Sequence, residues 1–164
     1  MSQLSILMAN HPKLRQKAKK IGKVDRSVQR LLDDMLETMK EAPGIGLAAT
    51  QVGQLVRAIV VDVEETTLQL VNPEIVHREG EVILTEGCLS LPGYEGDVRR
   101  PEKVTVRALT RQGKNIRINA DKMLARVLQH EIDHLDGILF VDRLDKLDDL
   151  RFVTPEAEPA EVKV

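Results

Sequence analysis

The chain has 164 residues, enough to bury a hydrophobic core without disulfides or a structural metal. Apolar residues make up 42% of it but aromatics only 2%, which argues against stacking of nucleic-acid bases and leaves Leu, Ile, Val, Met and Ala to build the core. A formal net charge of −2 supplies no global field for polyanions, a single cysteine excludes an internal disulfide and fits a reducing, cytoplasmic setting, and no apolar run approaches the roughly 20 residues of a membrane span.

Residues 1–24 carry six basic side chains (Lys13, Arg15, Lys17, Lys19, Lys20, Lys23) and no acid, read as a solvated basic edge of the domain. From Asp25, a plausible N-cap, the positions Val28, Leu31, Leu32, Met35, Leu36 and Met39 recur at helical spacing. This N-terminal helix ends at Ala42-Pro43-Gly44, where proline and glycine release the chain into a loop. β-Branched stretches at 56–63, 68–71, 74–77 and 81–85 follow, divided by turn signals such as Asn72-Pro73, and read as antiparallel strands. Lys103–Leu109 and residues 115–119 alternate around Arg111-Gln112-Gly113 as a hairpin. A second helix runs from about 121 to 134 with Met123, Leu124, Val127, Leu128 and Ile132 on one face, and it closes near Asp136-Gly137.

A short helical piece is expected over 145–152. Residues 154–164 read as a disordered acidic tail, leaving one domain over 1–153. Strands clustered ahead of a central helix, without regular β-α-β alternation, give an α+β fold of antiparallel strands packed around that helix.

The central helix carries Gln129-His130-Glu131-Ile132-Asp133-His134. Helical geometry puts positions i and i+4 on one face, so His130 and His134 can hold one ion while Glu131 lies beside the water that ion activates. A catalytic tetrahedral site needs a third protein ligand. Cys88, in Glu86-Gly87-Cys88-Leu89-Ser90 directly after a predicted strand, is the candidate, and its thiolate suits iron or zinc and not magnesium or calcium. A third stretch, Gly44-Ile45-Gly46-Leu47-Ala48-Ala49-Thr50-Gln51, can lie flat along an extended peptide and offer backbone groups for strand-like pairing; read alone, it equally caps the preceding helix and packs tightly. His11 and His77 read as surface residues, and Tyr94 and Glu95 as ordinary loop residues.

Together these three segments resemble the peptide deformylase family: G-φ-G-φ-A-A-x-Q, E-G-C-L-S and Q-H-E-φ-D-H, with φ apolar, occur here in that order. The resemblance runs from about Ile6 to Leu144. It implies metal-dependent removal of the N-formyl group from nascent polypeptides beginning with formylmethionine, releasing formate. Cys88, His130 and His134 would hold the ion, Fe²⁺ in cells with Zn²⁺, Ni²⁺ or Co²⁺ able to replace it. Glu131 would carry the proton from the attacking water to the leaving amine, and the Leu89 backbone N–H and the Gln51 amide would meet the oxyanion. Gly44, Ile45 and Gly46 would border the peptide, and Ile45, Leu84, Glu86, Met123, Val127 and the ring of His130 would line a methionine pocket.

Asp133 pairing with Arg100 would orient the site. Thr50 stands where the family usually has proline, which frees the backbone ahead of Gln51. Asp145, Asp148, Asp149 and the acidic tail replace the basic C-terminal helix by which some members dock to the ribosome, which argues against ribosome contact. Three rivals make distinct demands: a zincin-like metallopeptidase needs a downstream third ligand, a thiol hydrolase needs Cys88 as nucleophile, and a non-catalytic peptide-binding module needs none of the acid–base residues.

Overall fold

A computed structural model describes residues 2–153 and 162–163. Helix α1 spans Arg26–Glu41, and its N-cap Asp25 accepts a hydrogen bond from the Val28 backbone N–H at 3.1 Å, which satisfies one of the otherwise orphaned donors of the first turn. Five strands, β1 (Gly46–Ala48), β2 (Ala58–Val63), β3 (Thr66–Glu79), β6 (Lys103–Leu109) and β7 (Asn115–Ala120), form an antiparallel sheet in the order β1-β2-β3-β6-β7. Helix α2 (Lys122–Leu135) lies on its other face.

Strand β2 shows how the layers are held. Its successive side chains alternate faces. Ala58 and Val60 join Leu32, Met35 and Met39 of α1 in one buried cluster, whereas Ile59 and Val61 join Val127, Leu128, Ile132 and Leu135 of α2 in another. The strand is therefore apolar almost without interruption, because both of its faces are covered. Aliphatic packing of this kind carries the stability that few aromatics could supply; truncating a fully buried Leu128 to Ala would cost about 2–5 kcal/mol.

A second antiparallel pair, β4 (Val82–Cys88) and β5 (Leu91–Arg100), runs in register from Val82 opposite Arg100 to Gly87 opposite Glu95. Strand β8 (Leu150–Phe152) pairs antiparallel with β5, and β9 (Val162–Lys163) pairs parallel with β4 at Glu86 and Gly87. This smaller sheet brings Cys88 to the flank of α2, where Cys88, Val98 and Phe140 form a third buried cluster. Within the described residues no helix is long and apolar enough to cross a membrane.

The α+β class with a central α2 and an N-terminal α1 is as the sequence implies, and both helix bounds lie within about a residue of expectation. Four local expectations are corrected. Segments 68–71 and 74–77 are one strand, β3, because Asn72-Pro73 makes a bulge there and not a turn: Asn72 takes φ +52°, and its side-chain amide accepts from the Ile21 N–H and donates to the Ile21 carbonyl, both at 2.8 Å. Residues 145–152 form a short 3-10 turn (Leu147–Asp149) and strand β8, since the edge of β5 offers partners that an isolated helical turn lacks. Tyr94 and Glu95 lie on β5, whose Pro, Gly and charged residues conceal it in the sequence. The glycine segment is in part a strand, β1, paired with β2. Of the tail 154–164, residues 154–161 and 164 lie outside the described residues, and 162–163 are the strand at the edge of β4.

Candidate metal centre

Helix α2 places His130 and His134 one turn apart, with Nε2 to Nε2 at 3.2 Å. The sulfur of Cys88, at the end of β4, stands 3.4 Å from His134 Nε2, and all three donor atoms lie within 4.8 Å of one another. A tetrahedral ion with ordinary zinc–sulfur and zinc–nitrogen bond lengths requires its ligand atoms about 3.3–3.6 Å apart. Two of the three separations, 3.2 and 3.4 Å, are close to that requirement, and the third is no longer than 4.8 Å.

The chemistry of the donors fits a cation. Burial pushes both imidazoles toward the neutral, coordinating form, His134 the more strongly. Burial pushes the Cys88 thiol up to about 12, although the Ser90 N–H approaches the sulfur at 3.4 Å. Glu131 is fully buried, neither carboxylate oxygen has a hydrogen-bond partner among the described residues, and burial followed by the nearby charge of Glu86 raises its pKa well above the usual carboxylate range. A thiolate and a carboxylate are costly here unless a divalent ion shares the space, and with one present the charges sum to zero. A raised thiol pKa is also the reverse of what a nucleophilic cysteine needs.

Around the imidazoles runs a buried ionic network. His130 Nδ1 lies 2.8 Å from Glu86 Oε1, and Arg100 holds Glu86 through Nε at 2.6 Å and Nη2 at 2.9 Å. Arg126 Nη1 donates to the other oxygen of Glu86 at 2.6 Å. Burial opposes ionisation of Glu86, but the hydrogen bonds from His130 and Arg100 outweigh it and hold the carboxyl well below its usual range. Arg100 Nη1 also reaches Asp133 at 2.8 Å, and Arg143 grips the same carboxylate at 2.9 and 3.1 Å. The Phe140 ring stacks on His130 with centroids 6.2 Å apart.

Gln51 follows β1 in a short 3-10 turn (Ala49–Val52). Its side-chain oxygen accepts from the Ala48 N–H at 3.0 Å, which turns Nε2 toward Ser90 Oγ at 3.0 Å and the Cys88 sulfur at 3.7 Å. Thr50 is fully buried, and its hydroxyl donates to the His134 carbonyl at 3.3 Å, so the backbone freedom implied by the absence of proline is offset by a tie to α2. The glycines are close-approach positions. A Cβ on Gly44 would meet Leu89 Cδ1 at 2.7 Å, and one on Gly46 would meet Glu131 Oε2 at 2.6 Å.

Ile45 and Met123 are half-buried against the cluster that contains Val127, and Leu84 is half-buried on β4. Glu86, expected among the pocket-lining residues, is fully buried, with its carboxylate bound to His130, Arg100 and Arg126. His11 caps a 3-10 turn (Pro12–Arg15), and His77 is exposed on β3. Arg126, Ser90 and Phe140 escape sequence reasoning. The one signal for Arg126 is a charged residue one turn ahead of His130 and flanked by the apolar Ala125 and Val127.

Comparison with known proteins agrees with this geometry. A family model described as polypeptide deformylase matches residues 3–149. The chain is 54% identical over 135 residues to a peptide deformylase of Alkaliphilus metalliredigens, covering 82% of this chain and 92% of that protein. It is 53% identical to one of Symbiobacterium thermophilum, covering 99% and 76% respectively. A crystal structure of the Ehrlichia chaffeensis peptide deformylase in complex with actinonin superposes with a TM-score of 0.88 at 41% identity, covering 91% of this chain and 92% of that one. A family match over most of the sequence, relatives at half identity and a shared fold lead to one statement: this chain belongs to the polypeptide deformylase family.

Proposed function

We propose that this protein hydrolyses the N-formyl group of polypeptides that begin with formylmethionine, giving formate and a free N-terminal amine. The observation that carries the reading is the convergence of Cys88, His130 and His134 with a buried Glu131 that has no hydrogen-bond partner among the described residues and lies against the backbone of Gly46. Cys88, His130 and His134 would hold a divalent ion, which would supply Lewis acidity toward a carbonyl and toward water. Fe²⁺ is the ion we assign in cells, with Zn²⁺, Ni²⁺ and Co²⁺ as substitutes; a site with one thiolate and two imidazoles accepts all four.

Glu131 takes the proton of the attacking water and delivers it to the departing nitrogen, with both of its oxygens free of hydrogen-bond partners among the described residues. The Gln51 amide, already aimed at the Cys88 sulfur, and the Leu89 backbone N–H are assigned as donors to the oxyanion, fixed before the reaction starts. Gly44, Ile45 and Gly46 flank the peptide backbone, and a slot formed by Ile45, Leu84, Met123 and Val127 takes the methionine side chain. Arg100 and Asp133 hold the arrangement in place. Glu86 is assigned to orienting His130, at the buried end of the slot.

We assign this activity to a single domain over residues 1–153, acting in the cytoplasm without contact with nucleic acid or membrane. The single thiol and the acidic balance support that setting. The segment 145–153 contains a 3-10 turn and a strand, so it supplies no basic helix for docking to a ribosome. A zincin-like peptidase is disfavoured because the third ligand atom is a sulfur from a β-strand upstream of the helix.

The test is formate release from formyl-Met-Ala-Ser by anaerobically purified ferrous protein, beside cleavage of an unformylated peptide. Formate from the first and no cleavage of the second supports the proposal. No formate, with the metal bound, refutes it.

A further inference from the structure

The sulfur ligand and the imidazole ligands come from different elements, β4 and α2, so something must fix the distance between strand and helix. Arg126 sits on α2 one turn ahead of His130 and is 2% exposed. Its Nη1 donates to Glu86 Oε2 at 2.6 Å and to the Val98 carbonyl at 2.8 Å, and its Nη2 donates to the Val82 carbonyl at 3.0 Å. One planar guanidinium thus joins the helix that bears His130 and His134 to β4, two residues before Cys88, and to β5.

Its contact with Glu86 complements the others that this carboxylate makes. Arg100 takes one bond to each oxygen, His130 Nδ1 takes the second position on Oε1, and Arg126 takes the second position on Oε2. Without Arg126, Oε2 keeps only its bond from Arg100 Nε, and the carboxylate can tilt about the Arg100 fork, disturbing the hydrogen bond that Oε1 shares with His130 Nδ1. The backbone carbonyls of Val82 and Val98 would at the same time lose a buried donor, and β4 would be free to shift against α2.

We propose that Arg126 is a positioning residue of the metal centre: by tying Glu86, Val82 and Val98 to α2, it fixes both the ring of His130 and the separation of the Cys88 sulfur from the two imidazoles. It touches neither substrate nor ion. Its effect falls on how firmly a divalent cation is held and on the symmetry of that cation's ligand set. The proposal rests on Cys88, His130 and His134 being the ligands.

The test uses the full chain loaded with Zn²⁺, with release to a coloured chelator followed at a temperature well below unfolding for wild type, Arg126→Leu and Arg126→Lys, and with Co²⁺ spectra recorded in parallel. Arg126→Leu is expected to release Zn²⁺ about 10-fold or more faster and to shift the Co²⁺ bands. Arg126→Lys, which keeps a cation near Glu86 but cannot hold both carbonyls as well, is expected to fall between. A role confined to scaffolding would lower the unfolding temperature of the metal-free protein while leaving release and spectrum unchanged, and that result overturns the proposal. Should Arg126→Leu fail to fold, Arg126→Lys decides alone: release within about twofold of wild type overturns it. His134→Ala separates the underlying reading, because Zn²⁺ held as firmly by that variant as by wild type would refute the ligand assignment itself, whatever Arg126 does.

Discussion

The backbone of Gly46 rests on the carboxylate of Glu131 so closely that a Cβ there would stand 2.6 Å from Oε2 and 2.8 Å from Val127 Cγ1. The edge of the large sheet and Glu131 are therefore in contact, with no room for a methyl group between them.

Gly46→Ala should displace Glu131 and not the ligands. Val127 and Glu131 both lie on the buried side of α2 and cannot withdraw, so the extra methyl introduces about 1–3 kcal/mol of overpacking at the reacting carboxylate. Formate release is expected to fall about 10-fold or more at unchanged metal content, measured by turnover beside metal analysis. Wild-type turnover would show that Glu131 does not act from this position.

Glu131→Gln keeps the shape and removes the ionisable carboxyl to which proton transfer is assigned. Turnover should drop by about 10²–10⁴-fold with Zn²⁺ retained. The metal-free protein should be as stable as wild type or more so at neutral pH. A carboxyl whose pKa is raised on folding binds more protons folded than unfolded, so its contribution is most favourable below about 4.5 and is lost as pH rises through the higher folded value. The gap between variant and wild type in thermal unfolding should therefore close as pH is lowered toward 4.5. A gap that widens in acid contradicts this.

Metal uptake should release protons. With a thiol pKa of about 12, Cys88 is protonated in the metal-free protein at neutral pH, and it must ionise to bind, whereas burial already keeps the histidines neutral. In the Glu131→Gln background, which removes the other buried acid, Zn²⁺ binding is expected to release about one proton and to tighten about tenfold per pH unit. Calorimetry in buffers of different ionisation enthalpy counts it. A count near zero would mean that the sulfur is not a thiolate ligand.

Far from the centre, Arg111 in the β6–β7 turn donates to Asp33 of α1 at 2.7 and 3.2 Å, and Gln69 of β3 adds a third bond at 2.9 Å. Hydrogen bonding to Arg111 is the main cause of the lowered Asp33 pKa. Asp33→Asn should cost under about 1 kcal/mol, since the pair is a third exposed and screened. The loss should be present above about 3.8, the ordinary value, and should vanish as pH falls through the lower folded pKa. Denaturant unfolding at neutral and acid pH reads it, with turnover unaffected. A penalty that persists in acid would assign the effect to packing.

Read alone, the sequence determined whatever depends on neighbours along the chain. Helical spacing fixed α1 and α2, including the shared face of His130 and His134, because residues four apart must meet in any α-helix. Alternation around Arg111-Gln112-Gly113 fixed the hairpin of β6 and β7. The choice of Cys88 came from its donor chemistry and its motif, since no spacing rule links a strand to a helix 42 residues later.

Only the tertiary structure decided what depends on the docking of distant segments. The partners of the buried Glu86, namely Arg100, Arg126 and His130, lie 14, 40 and 44 residues away. Asn72-Pro73 looks like a turn because its anchor, Ile21, is 51 residues distant. The contact of Gly46 with Glu131 follows from the packing of β1 across α2, which no local pattern encodes. The physical reason is the same in each case: periodicity records which face of an element is apolar, whereas buried polar groups take their partners from whichever element the packed core sets against them.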